Sequence, residues 1–365
     1  MKRVLLSAAL AMALCQTAHA EMVIGWAGPL TGGSAALGDQ SKNGVTQAVE
    51  DINAKGGILG EKVRVQFEDD AGDPKQAISV ANRLVAAGVK FVVGHQNSGA
   101  SIPASEVYAE DGAIMISPSS TNPELTERGL QNVFRTCGRD DQQGQIASQF
   151  ILKQYAGKKI FIVQDKTPYG VGLADEVKKG INAGGLTEVG YEGITVGEKD
   201  YTALISKIKE ANADVVYFGG IYTEGALILR QMRESGMNAP FLGGDGLFSS
   251  EFSAIAGSGA EGSVFATFGP DPTKNASAKD VVTRFAAKNL NPEGNTLYAY
   301  AGVQVIAQAI EASKSKDPEA VSATIHSGKT FDTVIGPLSF DNKGDITRLD
   351  FVFYRLDQGK FVELP

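Results

Sequence analysis

Residues 63–94 read VRVQFEDDAGDPKQAISVANRLVAAGVKFVVG and contain one complete strand, helix and strand. The short apolar or β-branched runs Val63 to Phe67 and Phe91 to Gly94 predict two strands, the second of them buried. Between them, Pro74 to Ala87 predicts a helix, which Asp73 caps at its amino end and which carries its proline in the first turn. This order is typical of a parallel sheet with helices on its faces.

The same alternation continues on both sides of this unit. Up to Arg139 the further predicted strands and helices are the strand Met22 to Ala27, the helix Gly38 to Lys55, the helix Ser98 to Asp111 and the strand Ile114 to Ile116. After Arg139 the pattern restarts with the helices 142–155, 170–183, 201–212 and 224–235 and the strands 159–163, 187–191, 215–219 and 240–242. The helices 297–313 and 319–327 and the strands 351–356 and 361–364 complete it.

The sequence therefore predicts an α/β protein with two Rossmann-like lobes, each built on a parallel central sheet. A chain of this length exceeds what one hydrophobic core usually organises. We expect a three-strand hinge where the chain crosses between the lobes, near Thr136 to Asp140, Phe268 to Asp271 and Lys343 to Arg348. The expected first lobe comprises residues 21–138 and 270–345, and the second comprises residues 139–269 and 346–365.

The first twenty residues are typical of a secretory signal peptide. Lys2 and Arg3 precede the apolar run Val4 to Leu14, and Ala18-His19-Ala20 offers small residues for cleavage before Glu21. The apolar run is shorter than the roughly 20 residues of a membrane-spanning helix. A lipid anchor on the only cysteine of the segment is disfavoured, because a bulky leucine precedes it. We therefore expect export to the periplasm.

Composition excludes several function classes. Cleavage would remove two basic residues and shift the formal net charge from −8 to −10, and an acidic chain does not suit nucleic-acid phosphates. Cys137 would be the only cysteine left, so no intramolecular disulfide is expected.

Candidate catalytic and metal-binding residues are scarce. His95 and His326 would be the only histidines after cleavage, and neither has metal-ligand spacing or a neighbouring nucleophile motif. A pair of Cys137 with His95 is a conceivable nucleophile, but a buried structural cysteine is the preferred interpretation. The glycine-rich segments lack the phosphate-binding and dinucleotide patterns. We expect no enzyme activity, no metal and no cofactor.

Polar residues follow two predicted strands of the first lobe. Asn97 and Ser98 come after the strand that ends at Gly94, and the segment from Ser117 to Thr121 comes after the next strand. Ligands of open α/β sheets bind at the carboxyl ends of strands, and helix amino termini there offer free N–H groups to an anion. These residues predict a carboxylate clamp.

The second lobe offers the complementary chemistry. Asp245 lies in a glycine-framed loop after a predicted strand, where its carboxylate can accept hydrogen bonds from an ammonium group. Tyr169 lies between another strand and the following helix, where a phenol can pack on a ligand and hydrogen-bond it. An acid that faces a carboxylate clamp suits a zwitterionic amino acid.

Several longer motifs carry a family resemblance that extends over essentially the whole chain after the signal segment. They are GPLTG (28–32), DINAKGGI (51–58), DPKQA (73–77), SPSSTNPEL (117–125), YGVGL (169–173), GEKDY (197–201) and GPLSFD (336–341). In these motifs the sequence resembles the branched-chain amino acid binding proteins that serve ABC importers, a group of type I periplasmic binding proteins.

The resemblance implies which residues contact the ligand. Ser98, Ser119 and Thr121, with nearby N–H groups, would bind the carboxylate and help to hold the ammonium; Tyr169 would cover the ligand, and Asp245 would bind the ammonium. No disulfide is possible at Gly72 and Asn97, where better-known members have one. Two positions that are aromatic in those members are Leu37 and Ile221 here, so strict selectivity for leucine, isoleucine and valine does not follow.

The resemblance also implies a function and partners. The protein would bind a free L-amino acid, branched-chain or related aliphatic, by hinge closure, and would deliver it as a monomer to a membrane ABC permease. Two alternatives stay open: another small zwitterion such as alanine, proline, γ-aminobutyrate or an aromatic amino acid, or the input domain of a periplasmic sensor.

Overall fold

The computed structural model describes residues 21–348 and 351–365. The expected signal peptide, residues 1–20, lies outside the described residues. Two separate sheets organise the chain, as the predicted α/β fold requires.

The first sheet is entirely parallel and has the strand order β2-β1-β3-β4-β5. Its strands are β1 (Met22–Gly28), β2 (Val63–Asp69), β3 (Phe91–Gly94), β4 (Ile114–Ser117) and β5 (Val133–Arg135). The connecting helices are α1 (Ala35–Ala54), α2 (Pro74–Ala86), α3 (Ser98–Asp111) and α4 (Glu124–Glu127). The predicted cap of α2 is confirmed, since the carboxylate of Asp73 accepts from the N–H groups of Lys75 and Gln76.

The second sheet begins with five parallel strands in the order β7-β6-β8-β9-β10. These are β6 (Ile160–Gln164), β7 (Gly190–Gly193), β8 (Val215–Gly219), β9 (Phe241–Gly243) and β10 (Val264–Phe268). The helices of this part are α5 (Asp140–Gln154), α6 (Pro168–Ala183), α7 (Thr202–Glu210), α8 (Tyr222–Glu234) and α9 (Ser250–Ala256). The parallel strand order of the two sheets is therefore the same.

After β10 the chain returns to the first sheet. It forms α10 (Lys279–Ala287), α11 (Thr296–Ser313), α12 (Pro318–His326) and a small hairpin of β11 (Phe331–Thr333) and β12 (Gly336–Leu338). Most side chains of α11 are buried, and the helix packs against α1, β3 and β4. A helix that is apolar on nearly all sides belongs in a core, which explains this central position.

Two antiparallel strands, β13 (Val352–Asp357) and β14 (Lys360–Glu363), complete the second sheet at the edge next to β10. The chain thus crosses between the sheets three times: after β5, after β10 and after β12. The third crossing contains residues 349 and 350, which lie outside the described residues. These crossings agree with the predicted hinge, whereas the lobe boundaries stay a prediction.

The order of the strands determines where a ligand can bind. In each sheet the first strand lies between the next two strands of the chain, β1 between β2 and β3 and β6 between β7 and β8, so the direction of strand addition reverses beside it. The crevice outside the carboxyl ends of strands at such a switch point is where open α/β sheets bind ligands.

Candidate functional site

A cavity of about 150 Å³ lies between the two sheets, at the carboxyl ends of their strands. Pockets for drug-sized ligands measure about 300–1,000 Å³, so this one suits a smaller molecule. The residues that line it are Gly33, Ser34, Leu37, Ala71, Gly72, Pro74, Gln96, Asn97, Ser98, Gly99, Ser119, Asp165, Thr167, Pro168, Tyr169, Val196, Ile221, Asp245 and Gly246.

Two of the three predicted clamp residues reach this cavity. Ser98 is the first residue of α3, and Ser119 lies in the turn after β4. Thr121 does not line the cavity; it is buried behind it, beside a second space of about 10 Å³ that also contacts Asp245. The carbonyl oxygen of Thr121 instead accepts from the N–H of Asp140 at 2.8 Å, at the start of α5.

A buried arginine fixes the turn after β4. Arg135, at the end of β5, donates from Nη1 to the carbonyl oxygens of Ser120 and Asn122 at 2.7 and 3.1 Å. Its Nε lies 2.6 Å from Oδ1 of Asp345, in the third crossing. The turn is tied in addition to α3, because Ser98 Oγ accepts from the N–H of Asn122 at 3.3 Å. Clamp and hinge are therefore parts of one buried network.

The opposite side of the cavity is built around Asp245, which lies in a 3₁₀ turn directly after β9. Its Oδ1 accepts from the hydroxyl of Tyr169 and from Nε2 of Gln143, both at 2.9 Å. Gln143 Oε1 in turn accepts from the N–H of Asp245 at 2.8 Å and from the hydroxyl of Thr267 at 2.6 Å. Both predicted residues of this side are thus in contact with each other.

Burial determines the protonation of Asp245 and of its neighbour Asp140. Burial raises the pKa of Asp245 from its ordinary value to about 6, against the opposing effect of the Gln143 and Tyr169 hydrogen bonds. Burial, followed by the negative charge of Asp245, also raises the pKa of Asp140 well above its usual range. Two acids that share a buried region raise each other's pKa values, and a cation in the cavity would relieve this strain on Asp245.

The glycines around Asp245 pack against side chains of the protein itself. A Cβ on Gly244 would come within 2.6 Å of the Tyr169 hydroxyl and within 2.5 Å of Gln143 Oε1. A Cβ on Gly246 would lie 2.9 Å from the same hydroxyl. These glycines therefore let the protein's own phenol and amide reach the turn.

Leu37 and Ile221 both line the cavity, as expected of wall residues. They come from opposite sides of the cavity, Leu37 from α1 and Ile221 from the residue before α8, and both belong to one buried apolar cluster. The apolar wall therefore forms only when the two sides approach each other.

Helix α1 begins at Ala35 and α6 at Pro168, earlier than predicted, so Leu37 and Tyr169 are helical residues.

Several site residues were missed from the sequence. Gln143 lies on α5, 102 positions before the aspartate that it contacts. Gln96 directly precedes the predicted Asn97 and Ser98, and only its position after a strand could have indicated it. Asp165 follows β6; its Oδ1 accepts from the N–H and hydroxyl of Thr167, and burial raises its pKa to about 6.

The histidine and cysteine weighed as a nucleophile pair are both structural in their surroundings. His95 is buried between the carboxylate of Asp70 at 2.6 Å and the hydroxyl of Tyr108 at 3.0 Å. Cys137 is buried, which raises the pKa of its thiol and opposes thiolate formation. Within residues 21–348 and 351–365, no three His, Cys, Asp or Glu side chains form a metal-binding group, and no helix is long and apolar enough to span a membrane.

Direct contacts join the two sides of the cleft. Asn122 Nδ2, in the turn after β4, donates to the carbonyl oxygen of Pro168 at 2.7 Å. The N–H of Ala36 donates to the hydroxyl of Tyr222 at 3.4 Å, and Gln40 Nε2 donates to the carbonyl oxygen of Phe248 at 3.2 Å. The structure therefore describes a closed arrangement in which the cavity is covered from both sides.

The family model described as "Periplasmic binding protein" matches residues 21–360, nearly all of the described chain. The chain belongs to the periplasmic binding protein family. A curated relative of this periplasmic binding protein, Leu/Ile/Val-binding protein homolog 1 of Brucella melitensis, is 50% identical over 343 residues, which cover 94% of this chain and 92% of the relative.

Solved structures show the same fold. A leucine-binding protein LivK from Thermotoga maritima superposes with a TM-score of 0.88 at 27% identity and covers 94% of this chain and 98% of its own. The branched-chain amino acid transporter substrate-binding protein LivJ of Streptococcus pneumoniae, solved in complex with isoleucine, has a TM-score of 0.85 at 28% identity, with coverage of 94% and 100%. The predicted type I periplasmic binding protein fold is confirmed.

Proposed function

We propose that this periplasmic binding protein is the solute-binding component of an ABC importer and that its ligand is a free L-amino acid, branched-chain or related aliphatic. One observation carries the proposal: Asp245, from the second sheet, and the predicted clamp residues Ser98 and Ser119, from the first, line one closed cavity. An anion-accepting wall opposite an acid matches the two charges of an amino acid.

The ligand carboxylate belongs on the clamp. Helix α3 begins at Ser98, and the first N–H groups of a helix have no carbonyl of their own helix to bind. The N–H groups of Ser98 and Gly99 are therefore suited to a carboxylate, and the helix dipole favours negative charge there. The hydroxyls of Ser98 and Ser119 add short donors from the same wall. Thr121 is proposed to act from behind the clamp.

The ligand ammonium belongs on Asp245. Hydrogen bonds from Gln143 and Tyr169 hold Oδ1 of this carboxylate in place and leave it oriented for a cation. A charge-assisted bond between ammonium and carboxylate is about twice as strong as a neutral one. Tyr169, already bonded to both Asp245 and the N–H of Gly246, positions the acid and packs beside the ligand.

The aliphatic part of the ligand would contact Leu37, Ile221, Val196 and Pro74, which line the same cavity. Burial of a leucine-sized side chain contributes about 1.5–3 kcal/mol. The curated relative is named for leucine, isoleucine and valine binding, and the LivJ structure contains isoleucine. These names support the same ligand class for this protein.

Closure of the hinge is the proposed mechanism. The clamp belongs to the first sheet and Asp245 to the second, so a ligand contacts both only in the closed arrangement. A ligand that binds one state better shifts the equilibrium toward it. The protein performs no chemistry on the ligand. We further propose that residues 1–20 are cleaved on export, and that the protein is a periplasmic monomer that delivers its ligand to a membrane permease.

A thermal-shift screen of the purified protein against the common amino acids tests this function. A native-state ligand at about a hundredfold excess over its Kd adds about 2.7 kcal/mol of apparent stability, so the true ligand should raise Tm by several degrees. We expect clear shifts with branched-chain and related aliphatic amino acids. A flat response to every amino acid would contradict the proposed function.

A further inference from the structure

One polar residue of the cavity, Gln96, takes no part in the proposed contacts to the ligand carboxylate and ammonium. Gln96 lines the cavity and is only 2% exposed. Within residues 21–348 and 351–365, neither its amide nitrogen nor its amide oxygen has a hydrogen-bond partner. Most buried polar side chains are hydrogen-bonded, so a doubly unpartnered amide at a binding cavity indicates a group that a ligand completes.

The backbone of Gln96 is held in place. Its carbonyl oxygen accepts from the hydroxyl of Ser120 at 3.2 Å, and the residue lies directly between the buried His95 and Asn97, whose Nδ2 donates to Ser34 Oγ at 3.1 Å. The backbone that carries the amide is therefore fixed at one wall of the cavity.

A purely aliphatic ligand would bury this amide without giving it a partner. We propose that Gln96 is a specificity-determining residue and that its amide hydrogen-bonds a hydroxyl or carboxamide on the ligand side chain. This inference rests on the proposed function and extends its ligand range to polar side chains. The site then accepts neutral polar amino acids of branched-chain size, such as threonine and asparagine, as well as valine and leucine.

Two ligand pairs of nearly equal shape isolate this effect. Threonine replaces one methyl of valine by a hydroxyl, and asparagine replaces the branched end of leucine by a carboxamide. Leaving a buried polar group unpaired weakens binding by about fivefold or more. Wild-type protein should therefore bind threonine at least as tightly as valine and asparagine at least as tightly as leucine.

The variant Gln96→Leu removes the amide and keeps a side chain of comparable length. We expect the ratio of threonine Kd to valine Kd to rise at least fivefold relative to wild type, because the ligand hydroxyl then loses its partner. Gln47→Leu is the matched control. Gln47 is also buried and has one unpartnered amide oxygen, but it lies on α1 outside the cavity lining, so this substitution should leave the ratio unchanged.

Isothermal titration calorimetry on the three proteins with all four amino acids distinguishes the outcomes. A change of less than fivefold in the ratio for Gln96→Leu overturns the role of Gln96. If that variant does not fold, the wild-type titrations decide, and tighter binding of valine than of threonine overturns it. Wild-type protein that binds none of the four contradicts the proposed function itself.

Discussion

A buried carboxylate that lacks a cationic partner is costly, and Asp245 is such a group. It is 7% exposed, and among the described residues its side-chain hydrogen bonds go to Oδ1 alone. Its pKa of about 6 records this incomplete compensation. In the proposed function a ligand ammonium would supply the missing charge, and ligand binding would then stabilise the ionised aspartate.

This pKa predicts how affinity depends on pH. An ammonium needs the ionised carboxylate, and below about pH 6 the proton competes with the ligand. Affinity should be constant between pH 7 and 8 and about tenfold lower at pH 5, as measured by calorimetry. Because Asp165 also has its pKa raised to about 6, Asp245→Asn serves as the control that should flatten the profile.

The free energy of unfolding of the unliganded protein should depend on pH in the opposite direction to the affinity. The native state holds the Asp245 proton more tightly than the unfolded chain does, since burial raises the native pKa above the ordinary value. This contribution to the free energy of unfolding is present at low pH and is lost as pH rises from about 4 to 6. A wild-type affinity that stays unchanged down to pH 5 would contradict the assigned role of Asp245.

Site residues could be predicted where a loop follows a strand. Ser98, Ser119, Tyr169 and Asp245 all come within a few residues after a strand, in the loop or in the first turn of the next helix, and all reach the cavity. Gln143 could not be found this way, because it lies in the first turn of α5, a helix that follows a crossing between the sheets, and reaches Asp245 only through the packing of α5 against the second sheet. Local sequence does not reveal a contact between residues so far apart.

Among the structural elements, the turn after β4 connects most of the site. Arg135 binds its carbonyl groups, Ser98 binds its N–H, and Asn122 extends from it to Pro168 on the other side of the cleft. The side chain of Asn122 has two functions, since its Oδ1 also accepts from the N–H of Glu124 at 2.9 Å. The cross-cleft bond can therefore be removed without removing the local one.

The variant Asn122→Asp removes the bond to Pro168 and keeps the bond to Glu124. The aspartate keeps the acceptor for Glu124 but places a carboxylate against the carbonyl oxygen of Pro168, which disfavours the closed state. Apparent affinity scales with the population of the binding-competent state, and one lost hydrogen bond predicts about fivefold to tenfold weaker binding. Calorimetry should show this loss, and small-angle scattering should show a larger radius of gyration without ligand.

Asn289→Asp provides the charge-matched control, because Asn289 is exposed and lies in the loop after α10. It should change neither the affinity nor the radius of gyration. An Asn122→Asp protein with wild-type affinity would show that the bond to Pro168 does not stabilise closure.

The regular elements were largely predictable because apolar runs and helix caps are local signals. Helix α3 and strand β8 have the predicted bounds, and most other elements differ by a few residues. Missed elements include β5, β10, α10 and the hairpin of β11 and β12. Strand β5 has only three residues, and β10 lies where a crossing was expected to begin, so partners in the sheet, rather than local pattern, determine them.

For the whole molecule, two sheets of equal strand order bring their switch points to one cavity. The chain passes between them three times, and movement of one sheet relative to the other about these crossings is the proposed hinge closure. Neither wall alone holds both charges of an amino acid. Binding and closure are therefore one event in this account.

The most direct test of this account is a calorimetric comparison of wild type and Asp245→Asn, each titrated with L-leucine and with 4-methylpentanoate, which is leucine without its ammonium group. Removing one partner of a buried ion pair costs about 3–5 kcal/mol, so the variant should lose at least about a hundredfold in leucine affinity. Its affinity for 4-methylpentanoate should stay within about threefold of wild type or improve. Asp332→Asn, at an exposed acid on the hairpin, should change neither value, with circular dichroism as the folding control. Equal losses for both ligands, or a leucine affinity within about threefold of wild type, would contradict the claim that Asp245 binds the ammonium of an amino acid.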